Sequence, residues 1–329
     1  MARKAIGIDL GGTNIKAGVV DERGQVLSRV SIPTGGEQGF GAVLDHIAQA
    51  AHEAREQARV PWARVAAIGL GGPGIFYGPR GVNYNTPNLP ALQGKAVRAP
   101  LLKRLGRAEF AGSRLVLEND ANLAAYAEFW VGCGRKVDTL ALFTLGTGVG
   151  GGIVLNGRLW RGATGTAAEL GHQNLFPDGA LCGCGNRGCL EAYASATGLV
   201  RRLGEAVSAG RTSVLAGRSR AGEPLSARDI TEAARAGDAV ARELVEETGR
   251  FLGIGVANVL HILNVEMVVF AGGMTAAGKM LLDPIREEAK RRVFPLAFRG
   301  VRILFSHMGN DAGLIGAAGW ALKESGATP

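Results

Sequence analysis

Two stretches of this chain share one layout: a short apolar strand, a turn of glycine and threonine, then a second strand. The first runs through residues 6–10, turns at Gly11-Gly12-Thr13-Asn14 and continues over 15–20. The second runs through 139–144, turns in L-G-T-G-V-G-G-G at 145–152 and continues over 153–155. Backbone amides of such a turn bind phosphate because no side chain stands between them and the anion. A single copy reads equally well as an ordinary hairpin in which glycine supplies positive φ. Two copies, one in each half, point to a duplicated α/β fold that grips phosphates from both sides. Thr13 adds a hydroxyl to the first turn, and Asp9 sits at its mouth, placed to partner a phosphate-bound Mg²⁺ through water.

The second constraint lies at 169–191, where E-L-G-H is followed after nine residues by C-G-C-G-N-R-G-C-L-E. Cys182, Cys184 and Cys189 with His172 make the ligand count of a tetrahedral structural zinc site. Such a metal would pin two loop segments and hold Glu169, His172 and Glu191 around one point. Only one ring nitrogen of His172 would bind the metal, which leaves the other for a hydrogen-bonding partner or ligand. A disulfide framework is the competing reading, but it belongs to short secreted chains, and this chain has 329 residues with four cysteines. The fourth, Cys133, is expected to be a small buried apolar residue.

Length suggests two domains with ample core. The net charge of +8 comes from scattered basic residues without a basic block interleaved with aromatics, so nucleic-acid binding is not expected. An anionic substrate or a merely charged surface accounts for it. Asp9 interrupts the first apolar run, which argues against a secretory leader, and no apolar window is long enough to span a bilayer. A cytoplasmic protein without membrane contact is the expectation.

Between these landmarks the chain alternates strand and helix signals. An amphipathic helix is expected over 39–59, a buried strand over 65–70, and a Gly-, Pro- and Asn-rich loop over 77–92. Pro100 should open a short helix to 105. A strand over 114–117 ends in Glu118-Asn119-Asp120 and is followed by a helix over 121–131. Asp120 stands where an N-cap belongs, and capping explains it as well as a functional carboxylate at a strand's C-terminal end does. Asn156-Gly157 marks a two-residue hairpin turn. Helices are expected over 192–207, from a capping box at 226–229, over 238–263, 281–293 and 313–322. A polar connector is expected over 211–224, and strands over 265–271 and 301–305. The first of those strands ends at Gly272-Gly273, where a nucleotide base or ribose could lie against backbone.

Taken together, D-L-G-G-T-N-I-K at 9–16, E-N-D at 118–120, L-G-T-G-V-G-G-G, E-L-G-H, C-G-C-G-N-R-G-C-L-E and F-A-G-G at 270–273 resemble the ROK family of sugar kinases, and the resemblance covers nearly the whole chain. It implies two actin-like ATPase (ribonuclease H-like) domains with ATP and sugar in the interdomain cleft. The smaller domain would take residues 1–120 plus a C-terminal helix at about 312–325, and the larger would take 121–311. It implies Asp120 as general base, with Asn88, Asn119, Asp120, Glu169, His172 and Glu191 contacting the sugar. Asp9, Gly11, Gly12, Thr13 and Lys16 would form the first phosphate site, Thr144, Gly146, Thr147 and Gly148 the second, and Gly272 and Gly273 would border adenosine. His172, Cys182, Cys184 and Cys189 would bind zinc. The all-cysteine metal pattern looks like the glucokinase and N-acetylhexosamine kinase branch, so ATP-dependent phosphorylation of a hexose 6-hydroxyl, glucose first, is the implied activity. Polyphosphate is an alternative donor, and a homodimer is implied. With the first phosphate motif starting at Asp9, the N-terminal helix-turn-helix of ROK repressors is not expected.

Overall fold

A computed structural model of the chain describes residues 3–326. In chain order the strands are β1 (Lys4–Leu10), β2 (Asn14–Asp21), β3 (Val30–Pro33), β4 (Val65–Gly72), β5 (Ile75–Tyr77), β6 (Val82–Tyr84), β7 (Leu115–Asn119), β8 (Thr139–Leu145), β9 (Val149–Leu155), β10 (Arg158–Leu159), β11 (Met267–Ala271) and β12 (Arg302–Phe305). The α-helices are α1 (Phe40–Gln57), α2 (Arg98–Leu105), α3 (Asp120–Trp130), α4 (Leu190–Ala194), α5 (Ala196–Ser208), α6 (Ala216–Arg220), α7 (Ala227–Arg235), α8 (Ala239–Leu263), α9 (Lys279–Arg292), α10 (Pro295–Phe298) and α11 (Ala312–Glu324).

The duplication is visible in the sheets. One has the order β3-β2-β1-β4-β7 and the other β10-β9-β8-β11-β12. Both place a hairpin pair first and then add parallel strands, β4 beside β1 and β11 beside β8. This is the two-domain actin-like ATPase arrangement that the sequence led us to expect. The chain divides into two compact units. One takes the chain up to Val137, Gly152–Ala167 and the chain from His307; the other takes Asp138–Gly151 and Ala168–Ser306. Among the described residues no helix is long and apolar enough to cross a membrane.

In the first unit, α1 and α2 pack one face of the sheet, where Val43, Leu44, Ile47 and Leu101 are fully buried with Ile6, Ile8 and Ile68. On the other face α11 lies so close that its backbone nearly touches the strands. A Cβ on Gly69 of β4 would come 1.9 Å from the Ala317 carbonyl oxygen, and one on Gly7 of β1 would meet the Leu314 oxygen at the same distance. Bare glycines in two neighbouring strands therefore create the seat for α11. In the second unit the stacked rings of Phe143 and Phe270, 5.1 Å apart, join β8 to β11, and α8 packs along α9 with Leu252, Val256, Leu281 and Ile285 buried.

Several local expectations are corrected. The expected 77–92 loop begins inside an antiparallel pair, the last residue of β5 and all of β6 lying within it, with Ile75 opposite Tyr84. The helix over 192–207 is two helices, α4 and α5, broken at Ser195, whose extended backbone lets its side chain cap Gly198 N. Arg98, two residues before Pro100, opens α2. The 211–224 connector contains the short α6. Cys133 is half-buried beside a carboxylate, its Sγ 3.0 Å from Glu128 Oε2, and so is no purely apolar residue. The expected turn at Asn156-Gly157 is present, with φ of 51° and 71°.

Gly69→Ala should destabilise the protein by roughly 1–3 kcal/mol or more, because the added methyl has only backbone to displace. Denaturant unfolding monitored by circular dichroism checks this; an unchanged midpoint would contradict the close α11 seat.

Candidate functional site

The corner at the end of β7 sets the first group of residues. Asn119 is the last residue of the strand and the N-cap of α3, its Oδ1 accepting from Ala121 N at 2.9 Å and Asn122 N at 3.2 Å. Its Nδ2 donates to the Gly74 carbonyl at 3.1 Å. This corrects the sequence reading in which Asp120 could be the cap. Asp120 is the first helical residue and is exposed; its Oδ1 shares the Ala121 N–H at 2.8 Å, but the N-cap position belongs to Asn119.

Behind the corner lies a residue whose role sequence reasoning missed. Glu118 is 3% exposed and accepts from Asn119 N at 2.9 Å and Asn122 Nδ2 at 3.0 Å. Arg161 Nε stands 2.7 Å from its other oxygen, as an ion pair off the line of a good hydrogen bond. Burial pushes the Glu118 carboxyl up, and the Arg161 guanidinium pulls it back. Removing one partner of such a pair is costly because it strands a buried charge. The signal available was the motif itself, in which the Glu precedes the capping Asn; nothing in the spacing pointed to Arg161.

In the same unit the first turn closes with Gly11 N donating to Asn14 O at 3.0 Å, and Thr34 holds it from the side through its hydroxyl on Gly11 O at 2.7 Å. Gly12 and Thr13 are exposed. Asn88 lies against the turn, since a Cβ on Gly12 would sit 3.1 Å from the Asn88 carbonyl oxygen. Asp9 and Lys16 stand opposite one another across β1 and β2. Burial raises the Asp9 carboxyl and the Lys16 ammonium lowers it. The Asp9 carboxylate also lies against the start of α11, where a Cβ on Gly313 would meet it at 2.6 Å. A carboxylate held this way suits a nearby cation.

The second unit brings the other groups together. One ligand atom each from His172, Cys182, Cys184 and Cys189 falls within 4.8 Å of the others. Cys182 Sγ is 3.8 Å from His172 Nδ1, and Cys184 Sγ is 3.7 Å from Cys189 Sγ. Metal–sulfur bonds of roughly 2.3 Å give a tetrahedron with edges of about 3.8 Å. The spacing therefore fits four ligands around one divalent ion, and is far too long for a disulfide. Nδ1 is the ring nitrogen facing the sulfurs, so Nε2 is the one left over. Burial pushes the Cys182 thiol up to about 12, whereas the Asn186 amide lowers Cys184. A bound cation would hold both as thiolates.

Glu191 couples this cluster to the second Gly-Thr turn. Its Oε1 lies 3.4 Å from Cys182 Sγ, and its Oε2 accepts from Val149 N at 2.8 Å. Gly148 allows the approach, for a Cβ there would be 2.3 Å from Glu191 Oε2. Gly171 of E-L-G-H serves the same seam, since its Cβ would strike the Val149 oxygen at 2.0 Å. On the far side α5 clasps the turn: Ala196 N donates to Gly146 O and Thr197 Oγ1 to Thr147 O, both at 2.9 Å. Protein around the Glu169 carboxyl raises it, His172 lowers it and Glu191 raises it further.

Gly146, Thr147 and Gly273 line one cavity of about 540 Å³ with Ser226, Thr231 and Arg235 of the α7 segment. Gly272 turns the chain into it with φ of 102°. Thr144 stands one residue before the turn, half-buried at the end of β8. The α7 wall was not foreseen, because an amphipathic helix announces its buried face and not what its exposed face lines.

The ROK family model matches residues 5–324. A glucokinase of Halalkalibacterium halodurans is 37% identical over 320 residues, covering 97% of this chain and 94% of the relative. An N-acetylmannosamine kinase of Yersinia pseudotuberculosis is 32% identical over 322 residues, covering 97% and 98%. Among solved structures, a ROK family glucokinase from Streptomyces griseus in complex with glucose and AMPPNP superposes with a TM-score of 0.76 at 36% identity, covering 96% of this chain and 98% of that one.

Cys184→Ser should abolish stoichiometric metal retention, and chelation should lower the melting temperature of the native chain but leave the variant unmoved. Metal analysis after exhaustive dialysis together with thermal unfolding checks this; a native chain that holds no metal would contradict it.

Proposed function

This chain belongs to the ROK family, and from that membership we propose that it is an ATP-dependent hexokinase that transfers the γ-phosphoryl group to a hexose 6-hydroxyl, with glucose as substrate. Similarity to glucokinases over almost the whole chain supports the reaction class. The observation that carries the site reading is Glu191, one carboxylate that touches both the metal cluster and the amide of the Gly-Thr turn. It joins the sugar contact proposed for Glu191 to the second Gly-Thr turn within the second unit.

The roles follow from the chemistry. A sugar hydroxyl is a weak nucleophile, and Asp120 accepts its proton as it attacks phosphorus. Asn119 spends its carbonyl on the helix cap and its amide on Gly74, which fixes the corner that presents Asp120. Glu169, Glu191 and His172 Nε2 bind sugar hydroxyls, as does Asn88. Amides of Gly11, Gly12 and Thr13, with Lys16, and of Gly146, Thr147 and Gly148 cradle the phosphates, with Thr144 before that turn. Gly272, Gly273 and the α7 wall receive the adenosine. Asp9 is the residue to hold Mg²⁺, which supplies charge neutralisation to the triphosphate when bound. The soft Cys₃His set selects zinc as the structural ion. Consumption of ATP sets the reaction in the cytoplasm. Resemblance supports a homodimer, as do Ile262, Phe294 and Leu296, which are 72–82% exposed.

The second reading is an N-acetylhexosamine kinase, favoured by the 32% identity to the N-acetylmannosamine kinase. It keeps every role above and changes only the pocket around the sugar's 2-position.

Asp120→Asn should lower kcat by roughly 10²–10⁴-fold while sugar binding and thermal stability persist. Steady-state kinetics and calorimetric titration of glucose check this together. Turnover close to that of the native enzyme would remove Asp120 from the base role.

A further inference from the structure

A second polar cavity, of about 420 Å³, lies wholly within the first unit, at the exposed edge of β7. Arg98, Ser113, Arg161, Thr164, Trp320 and Glu324 line it, together with several glycines. None of these residues belongs to the phosphate turns, the metal cluster or the base pocket.

The lining carries two guanidinium groups and one carboxylate, Glu324, which is paired with Arg158. Trp320 is 2% exposed, and its indole Nε1 is buried with no hydrogen-bond partner. Leaving a buried donor unpaired costs free energy that a matching ligand would recover. Arg98 bonds only to main-chain carbonyls, through Nε to Pro79 at 2.8 Å and through Nη1 to Gly112 at 3.2 Å and to Leu115. It has no carboxylate partner. The acids nearby are already engaged, Glu118 by Arg161 and Glu324 by Arg158 at 3.1 Å. Burial and the neighbouring Arg161 both disfavour the charged form of Arg98, so the two guanidinium groups repel across the cavity. Two guanidinium groups and a residue with a buried, unpaired indole N–H lining one open cavity are the complement of an anion with several acceptor oxygens.

We propose that the cavity at the β7 edge is a second binding site for a small phosphate-class anion, held by Arg98, Arg161 and the Trp320 indole N–H. The hydroxyls of Ser113 and Thr164 would also accept a sugar phosphate, and free phosphate offers the same charged group. Arg161 joins this site to the E-N-D corner through Glu118. The assignment concerns binding at this cavity and does not rest on which sugar the enzyme phosphorylates.

The test follows the four tryptophan indole N–H resonances of ¹⁵N-labelled full-length protein. Inorganic phosphate and glucose 6-phosphate are titrated separately, with and without AMPPNP and Mg²⁺. The Trp320 resonance, assigned with Trp320→Phe, should shift saturably in both conditions, and Arg98→Gln should weaken binding at least tenfold. Tighter binding of the sugar phosphate would identify a phosphorylated sugar as the ligand, and equal binding would identify phosphate itself; both support the site. Because Arg98→Gln also loses carbonyl contacts, calorimetry on Trp320→Phe gives the independent check, with binding weakened several-fold. A Trp320 resonance that does not move, that moves only when AMPPNP is absent, or that moves equally in Arg98→Gln with the other indole signals unchanged would overturn the proposal. Phosphate binding to Trp320→Phe at native affinity would overturn it as well.

Discussion

The second unit depends on one contact, the carboxylate of Glu191 bridging Cys182 and the Val149 amide. A loop as polar and glycine-rich as 173–189 has little apolar surface with which to hold a shape. A divalent ion held by the four clustered ligand atoms would supply the cross-link that burial cannot, since metal binding there would double as folding free energy. Once the loop is fixed, Glu191 is fixed, and with it the turn that begins at Gly146. Gly148 and Gly171 are bare because the pieces are pressed together at that seam. A metal held there would therefore shape the second Gly-Thr turn from a distance in sequence.

In the first unit the equivalent anchor is ionic. Glu118 is held in a buried position at an energetic cost that its raised pKa registers, and Arg161 with two donors on the E-N-D corner offsets it. Such pairs are retained less for stability than for fixing one geometry among several. Here the geometry fixed is the turn from β7 into α3, where strand carbonyls end and helix amides begin. That is the place in an α/β sheet where ligands bind. The seat of α11 on β1 and β4 backs the same sheet with the shortest possible spacing.

Much of this was legible in the residues. Residue type and spacing disclosed that His172, Cys182, Cys184 and Cys189 would cluster, because few other uses bring three cysteines and a histidine together in a long chain. Repetition of strand, Gly-Thr turn and strand disclosed the duplicated sheet order. Long helices such as α8 declared themselves by their apolar period. What stayed hidden was what depends on atoms brought from afar. Asn119, not Asp120, is the cap, a one-residue difference that no propensity separates because both are good capping residues. The break at Ser195 is dictated by the clasp of α5 on Gly146 and Thr147, a contact 50 residues long in sequence. Arg161 gave no sign of Glu118, and Cys133 none of Glu128, for the same reason. The β5–β6 pair was missed because three-residue strands carry too little alternation to read.

The most direct test of the whole account is ADP release from Mg-ATP by the purified, zinc-replete protein, measured in parallel with glucose, fructose, mannose, N-acetylglucosamine and N-acetylmannosamine. The account predicts release that depends on sugar and is fastest with glucose. Preference for an N-acetyl sugar would keep the chemistry and move the substrate. No sugar-dependent release with any of the five would contradict the assignment of this chain as a hexokinase.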